Sequence, residues 1–153
     1  MVLTTEQQNQ IKAIYSKYFK DSMVRFWMYE KTGYMWVRFY LAANKNELIN
    51  GYFENDCFNV DFEINTCFEG YKLTARMHSF TIKPIFHKYN CYDGRTIPFR
   101  QVKGDFNKIL VGFDRFFKKF HEQFISDLDN NIIPDQTYDV ASYKKIGELR
   151  VIR

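Results

Sequence analysis

The chain has 153 residues, enough for one domain with a substantial core, and 46% of them are hydrophobic. Net charge is +4, from 22 Lys and Arg against 18 Asp and Glu, a mild basic balance that permits anionic partners without requiring them. No apolar run is long enough to span a bilayer, no signal-peptide pattern opens the chain, and Cys57, Cys67 and Cys91 lack the spacing of a disulfide framework or zinc site.

These exclusions lead to the expectation of a cytoplasmic protein with reduced thiols, no transmembrane segment, no metal and no cofactor. Aromatic residues make up 19% of the chain, so the sorting of rings between core and surface is the main question. We find no internal repeat, linker or low-complexity segment, and expect a single α+β domain over residues 1–153.

Residues 4–20 read as a helix. Thr5 with Gln8, or Thr4 with Gln7, has the spacing of a capping box. Ile11, Ile14, Tyr15 and Tyr18 make an apolar stripe at helical intervals, as expected of a helix packed on a sheet.

Residues 22–41 read as a β-hairpin. Side chains alternate between faces along a strand. Val24, Phe26 and Met28 share one face of the first strand; Met35, Val37, Phe39 and Leu41 share one face of the second. A loop of even length, Thr32-Gly33 or a four-residue extension of it, brings the two aliphatic sets together, and burial selects that register. Arg25, Trp27, Tyr29, Tyr34, Trp36, Arg38 and Tyr40 then gather on the opposite face. Such a face is either covered or a working surface.

Two further strands are expected at 47–54 and 57–65, turning at Asn55-Asp56. A fifth is expected over 71–83, with Tyr71, Leu73, Ala75 and Met77 inward. In that register Glu63 opposes Lys72. The result is an antiparallel meander of about five strands. Residues 84–103 interrupt it with Pro84, Pro98 and an Asp93-Gly94 turn. This segment mixes cations with aromatics, and Lys88, Arg95 and Arg100 are candidate contacts.

Residues 105–128 carry the strongest helical pattern, with Asp105 as N-cap. Phe106, Ile109, Leu110, Phe113, Phe116, Phe117, Phe120, Phe124 and Leu128 recur at three- and four-residue steps. Lys108, Asp114, Arg115, Lys118, Lys119, Glu122 and Asp127 fall to the other side. The phenylalanine stripe is expected to cover the apolar sheet face. Asn130, Asn131 and Pro134 end the helix. A short helical turn at 140–146 and a strand at 149–152 are expected after it.

No glycine-rich phosphate loop occurs, and His78, His87 and His121 share no metal-ligand spacing with each other or with a cysteine. The inferred pairing sets Cys57 opposite His78, which is the combination an activated thiol nucleophile needs. Nothing resembling an oxyanion site accompanies it. Asp61 and Glu63, two apart on one face with Lys72 and Arg76 nearby, read as a solvated mixed-charge surface.

The hairpin face therefore carries the functional expectation. Open aromatics stack unpaired bases, and interleaved arginines hold phosphates. Trp, Tyr and Arg also dominate protein–protein hot spots. We expect a small non-catalytic binding protein whose partner is nucleic acid or a protein that handles it. Abundant Phe, Tyr, Ile, Asn and Lys suit an AT-rich genome, so a phage or mobile-element inhibitor or accessory factor is the specific form expected. The alternatives are a carrier of a small apolar ligand between sheet and Phe-rich helix, and a cysteine-dependent enzyme.

Overall fold

The structure is a computed structural model and describes residues 3–20, 23–29, 34–42, 57–76, 100–131 and 140–153. Thr4 starts the first helix, α1 (Thr5–Ser16), with the second of the two capping boxes. Its hydroxyl accepts from the Gln7 amide at 3.1 Å, and the Gln7 side chain accepts from the Thr4 amide at 2.9 Å. Two of the four orphan donors at the helix start are thereby satisfied. Helical geometry stops at Ser16, four residues before the expected end. Phe19 instead makes a lone antiparallel bridge to Val151.

Five strands form one antiparallel sheet in sequence order: β1 (Met23–Tyr29), β2 (Tyr34–Ala42), β3 (Cys57–Cys67), β4 (Gly70–Arg76) and β5 (Val102–Gly104). Tyr29 pairs with Tyr34, so an even number of residues separates the two strands, as the burial pattern requires. The membership of the meander differs from expectation. β2 pairs directly with β3, from Met35–Ile64 to Ala42–Cys57. That pairing occupies the edge where a strand at 47–54 was expected; residues 47–54 and the Asn55-Asp56 turn lie outside the described residues. The three-residue β5 is the fifth strand instead.

The β3–β4 register is shifted by two residues. Lys72 faces Asn65, and Glu63 faces Thr74. The reason is the turn. Cys67 pairs with Gly70, leaving only Phe68 and Glu69 between the strands, and a two-residue loop extends the ladder as far as it can go. Gly70 has φ 115°, and a Cβ there would lie 2.8 Å from the Gly104 carbonyl oxygen. Glycine is required both by the turn and by the approach of β5.

The long helix α2 (Phe106–Asp129) begins at Asp105, whose carboxylate accepts from the Lys108 amide at 3.0 Å. Ile109, Phe113, Phe116, Phe117, Phe120 and Phe124 are fully or almost fully buried, against Val37, Phe39, Phe62, Ile64 and Leu73 of the sheet. Phe39 and Phe62 meet Phe113 edge-on at 5.4 and 5.1 Å, and Phe39 meets Phe117 at 4.5 Å. Each such ring contributes roughly 1.5–3 kcal/mol through burial. Edge-to-face contacts add ~0.5–1.5 kcal/mol per pair. α1 lies on the same face, where Ile11 and Tyr15 join this core. The Tyr15 hydroxyl donates to the Tyr40 carbonyl at 2.7 Å.

Asp127 departs from the expected polar side of α2. It lies seven residues after Phe120, on the buried face, and is 1% exposed. Gln123 Nε2 donates to its carboxylate at 3.0 Å. Asn130 caps the helix, and Asn131 follows at φ 54°. The expected final turn and strand are replaced by one helix, α3 (Val140–Arg150), with only Val151 in a bridge. Gly147 lets α3 abut α2, since a Cβ there would meet Leu128 Cδ1 at 2.6 Å. The last residues are tied down by the Ile152 amide donating to Tyr18 O at 3.0 Å and by Arg153–Asp129 at 2.8 Å. Among the described residues no helix is long and apolar enough to cross a membrane.

Candidate binding site on the polar face of the sheet

All three helices contribute to the core on one side of the sheet. The opposite side is where the hairpin register brings the candidate residues together. Arg25 pairs with Arg38, Trp27 with Trp36 and Tyr29 with Tyr34. The two tryptophan rings stack at 6.1 Å with 7° between planes, and Tyr34 leans on Trp36 at 6.2 Å. Arg25 and Arg38 both lie over the Trp27 ring, at 5.5 and 5.4 Å. Each contact of this kind contributes ~0.5–1 kcal/mol at a partly exposed site.

Two arginines directly across a ladder repel each other. The next strand relieves that repulsion. Asp61 on β3 faces Arg38 on β2. It takes both arms of the guanidinium, Nε to Oδ1 and Nη2 to Oδ2, each at 2.7 Å. Such bidentate charged bonds fix geometry as well as adding energy. Asp61 is 0% exposed and the Arg38 side chain 25% exposed. Burial alone would lower the Arg38 pKa. The hydrogen bond and charge of Asp61, with Tyr40 beside it, outweigh that and hold the guanidinium above its ordinary range. Arg38 is thus a fixed charge, already largely neutralised.

The candidate residues divide by depth. Trp36 and Tyr40 are buried, as are Asp61 and Glu63 from β3. Asn65 donates to Glu63 Oε1 at 2.9 Å. Trp27, Tyr34 and Arg38 are half-buried, and Arg25 is exposed. The face is therefore a buried polar-aromatic floor along β2 and β3 with an accessible rim along β1. Asp61 and Glu63 belong to that floor and are not the solvated surface expected from the sequence. The missed signal was the direct β2–β3 pairing, which sets Arg38 against Asp61.

Arg100 is exposed just before β5, well away in sequence from the hairpin. Tyr29 sits in register on β1, but its side chain, Lys88 and Arg95 lie outside the described residues. So do His78, His87, Cys91, Pro134 and the Asp93-Gly94 turn, together with the Cys57 side chain, although Cys57 itself pairs with Ala42. Among the described residues no group of three or more His, Cys, Asp or Glu could hold a metal ion. No protein-family model, curated protein or solved structure matches the chain.

Proposed function

We propose that the chain is a non-catalytic protein-binding module whose contact patch is the β1 rim of the polar sheet face. The observation that carries this reading is the Arg25–Trp27–Arg38 stack seated on the buried Asp61 and Trp36. Hot spots are aromatic and arginine anchors, rigidly held in a desolvated setting. The floor supplies the rigidity, so little conformational entropy is lost when a partner docks.

A protein partner is favoured over nucleic acid by charge. Asp61 and Glu63 are embedded in this face, and Asp61 already neutralises Arg38. A phosphate backbone needs uncompensated cations. The exposed Arg25 over the Trp27 ring is a planar donor of the kind that arginine–aromatic hot spots present. An inhibitor or accessory factor acting on a nucleic-acid-handling protein is the specific form we favour, on the composition of the chain. The rings of Phe39, Phe62, Phe113 and Phe117 pack at contact distance between sheet and α2, which favours a surface function over carriage of a ligand there.

The test is capture of the partner from host lysate, followed by binding over a salt series. A protein partner with mild salt dependence supports the proposal. Retention of nucleic acid, with affinity falling steeply as salt rises, contradicts it.

A further inference from the structure

A second surface lies on the far side of the molecule, independent of the sheet-face reading. The outward face of α2 carries Lys108, Arg115, Lys118 and Lys119, all exposed, against Glu122. In the middle of these cations stands Val111, 55% exposed and outside the core. Spacing of three, four and seven residues aligns Lys108, Val111 and Arg115 along one side of the helix. Between that side and β5 runs a groove of about 470 Å³. Val102, Val111 and Gly112 give it an apolar floor, and Lys108 and Arg115 stand along it. Gly104 has no side chain, and the Lys108 stem lies where one would be.

We infer that this groove binds an extended acidic segment of a protein partner, one carrying an apolar residue between carboxylates. Lys108 and Arg115 are roughly 10 Å apart along the helix axis at 1.5 Å per residue. Side chains alternate between faces, so the carboxylates that share the groove face are two residues either side of the apolar one, about 13 Å apart and within reach of the long Lys108 and Arg115 side chains, while the apolar side chain between them covers Val111. Asp105 also lines the groove and accepts from the Lys108 amide; its one negative charge stands against the two cations, so the groove keeps a net positive charge. Nucleic acid would satisfy the cations but offers its phosphate backbone nothing for an apolar floor, so the peptide is the better fit.

The experiment is fluorescence anisotropy with a short labelled peptide bearing one leucine with a glutamate two residues to either side of it. The wild-type chain should bind it saturably. Arg115→Glu and Val111→Ser, both at exposed positions and therefore expected to keep the wild-type melting temperature, should each weaken binding tenfold or more. Trp27→Ala should bind the peptide as wild type does, which separates this site from the sheet face. Absence of saturable binding overturns the inference. Equal binding of the same peptide with glutamine for glutamate also overturns it. Tighter binding of a labelled single-stranded oligonucleotide, lost with Arg115→Glu, would make the groove a nucleic-acid surface instead.

Discussion

Arg38 has two roles that a simple alanine scan would confuse. It faces the rim of the candidate site, and both arms of its guanidinium are bonded to the buried Asp61 carboxylate. Removing one partner of a buried pair leaves the other uncompensated, at a cost of about 3–5 kcal/mol. We predict a loss of that size for Arg38→Ala in denaturant melts, largely recovered by Arg38→Met combined with Asp61→Leu. A loss below ~1 kcal/mol for the single change would mean that water reaches Asp61 and that the floor is not rigid. Trp27 and Arg25 are the cleaner probes of binding, because neither is buried. A second residue-scale prediction concerns Tyr18, whose hydroxyl donates to Asp114 at 2.7 Å. Burial first, then that hydrogen bond and the nearby charges of Asp114 and Glu122, push its pKa from 10.0 up to about 12. The folded chain keeps this proton where the unfolded chain releases it. The contribution to stability is therefore full below pH 10.0 and is lost as pH rises toward about 12. The stability advantage of wild type over Tyr18→Phe should shrink across that window. An advantage that stays constant would show that the hydroxyl does not favour the neutral form.

At the scale of elements, α2 is the stabilising unit. Phe113 and Phe120 are both fully buried, the first against Phe39 and Phe62, the second against Phe19. Truncation to alanine loses transfer energy and leaves a cavity, so each should cost roughly 3–5 kcal/mol. Losses below ~1 kcal/mol for both would place the stripe against solvent. This helix was legible in the sequence because an apolar repeat of three and four, sustained from Phe106 to Leu128, matches the helical period and no strand period, and Asp105 marks its start. The hairpin was legible because loop parity fixes both faces at once. What local pattern could not supply was long-range partnership. Residues 57–67 have the same alternation whether they pair with 47–54 or with β2, and only the second choice sets Asp61 against Arg38. Asp127 was misplaced for a related reason: a carboxylate at a buried position reads as polar surface until its neighbours are known.

For the molecule as a whole, one face of the sheet is spent on the core and the other on a polar-aromatic layer. The first carries most of the apolar burial; the second stacks two tryptophans and sets Arg25 across from an Arg38 that Asp61 neutralises. We propose the rim of that layer, Arg25 and Trp27 over the Arg38–Asp61 pair, as the surface on which a partner docks. The most direct measurement is calorimetric titration of the captured, purified partner into wild type and Trp27→Ala, with melting curves of both proteins. We predict that Trp27→Ala weakens binding by ~2 kcal/mol or more, about thirtyfold, while the fold survives unchanged. Wild-type affinity in a folded Trp27→Ala protein would contradict the sheet face as the binding site.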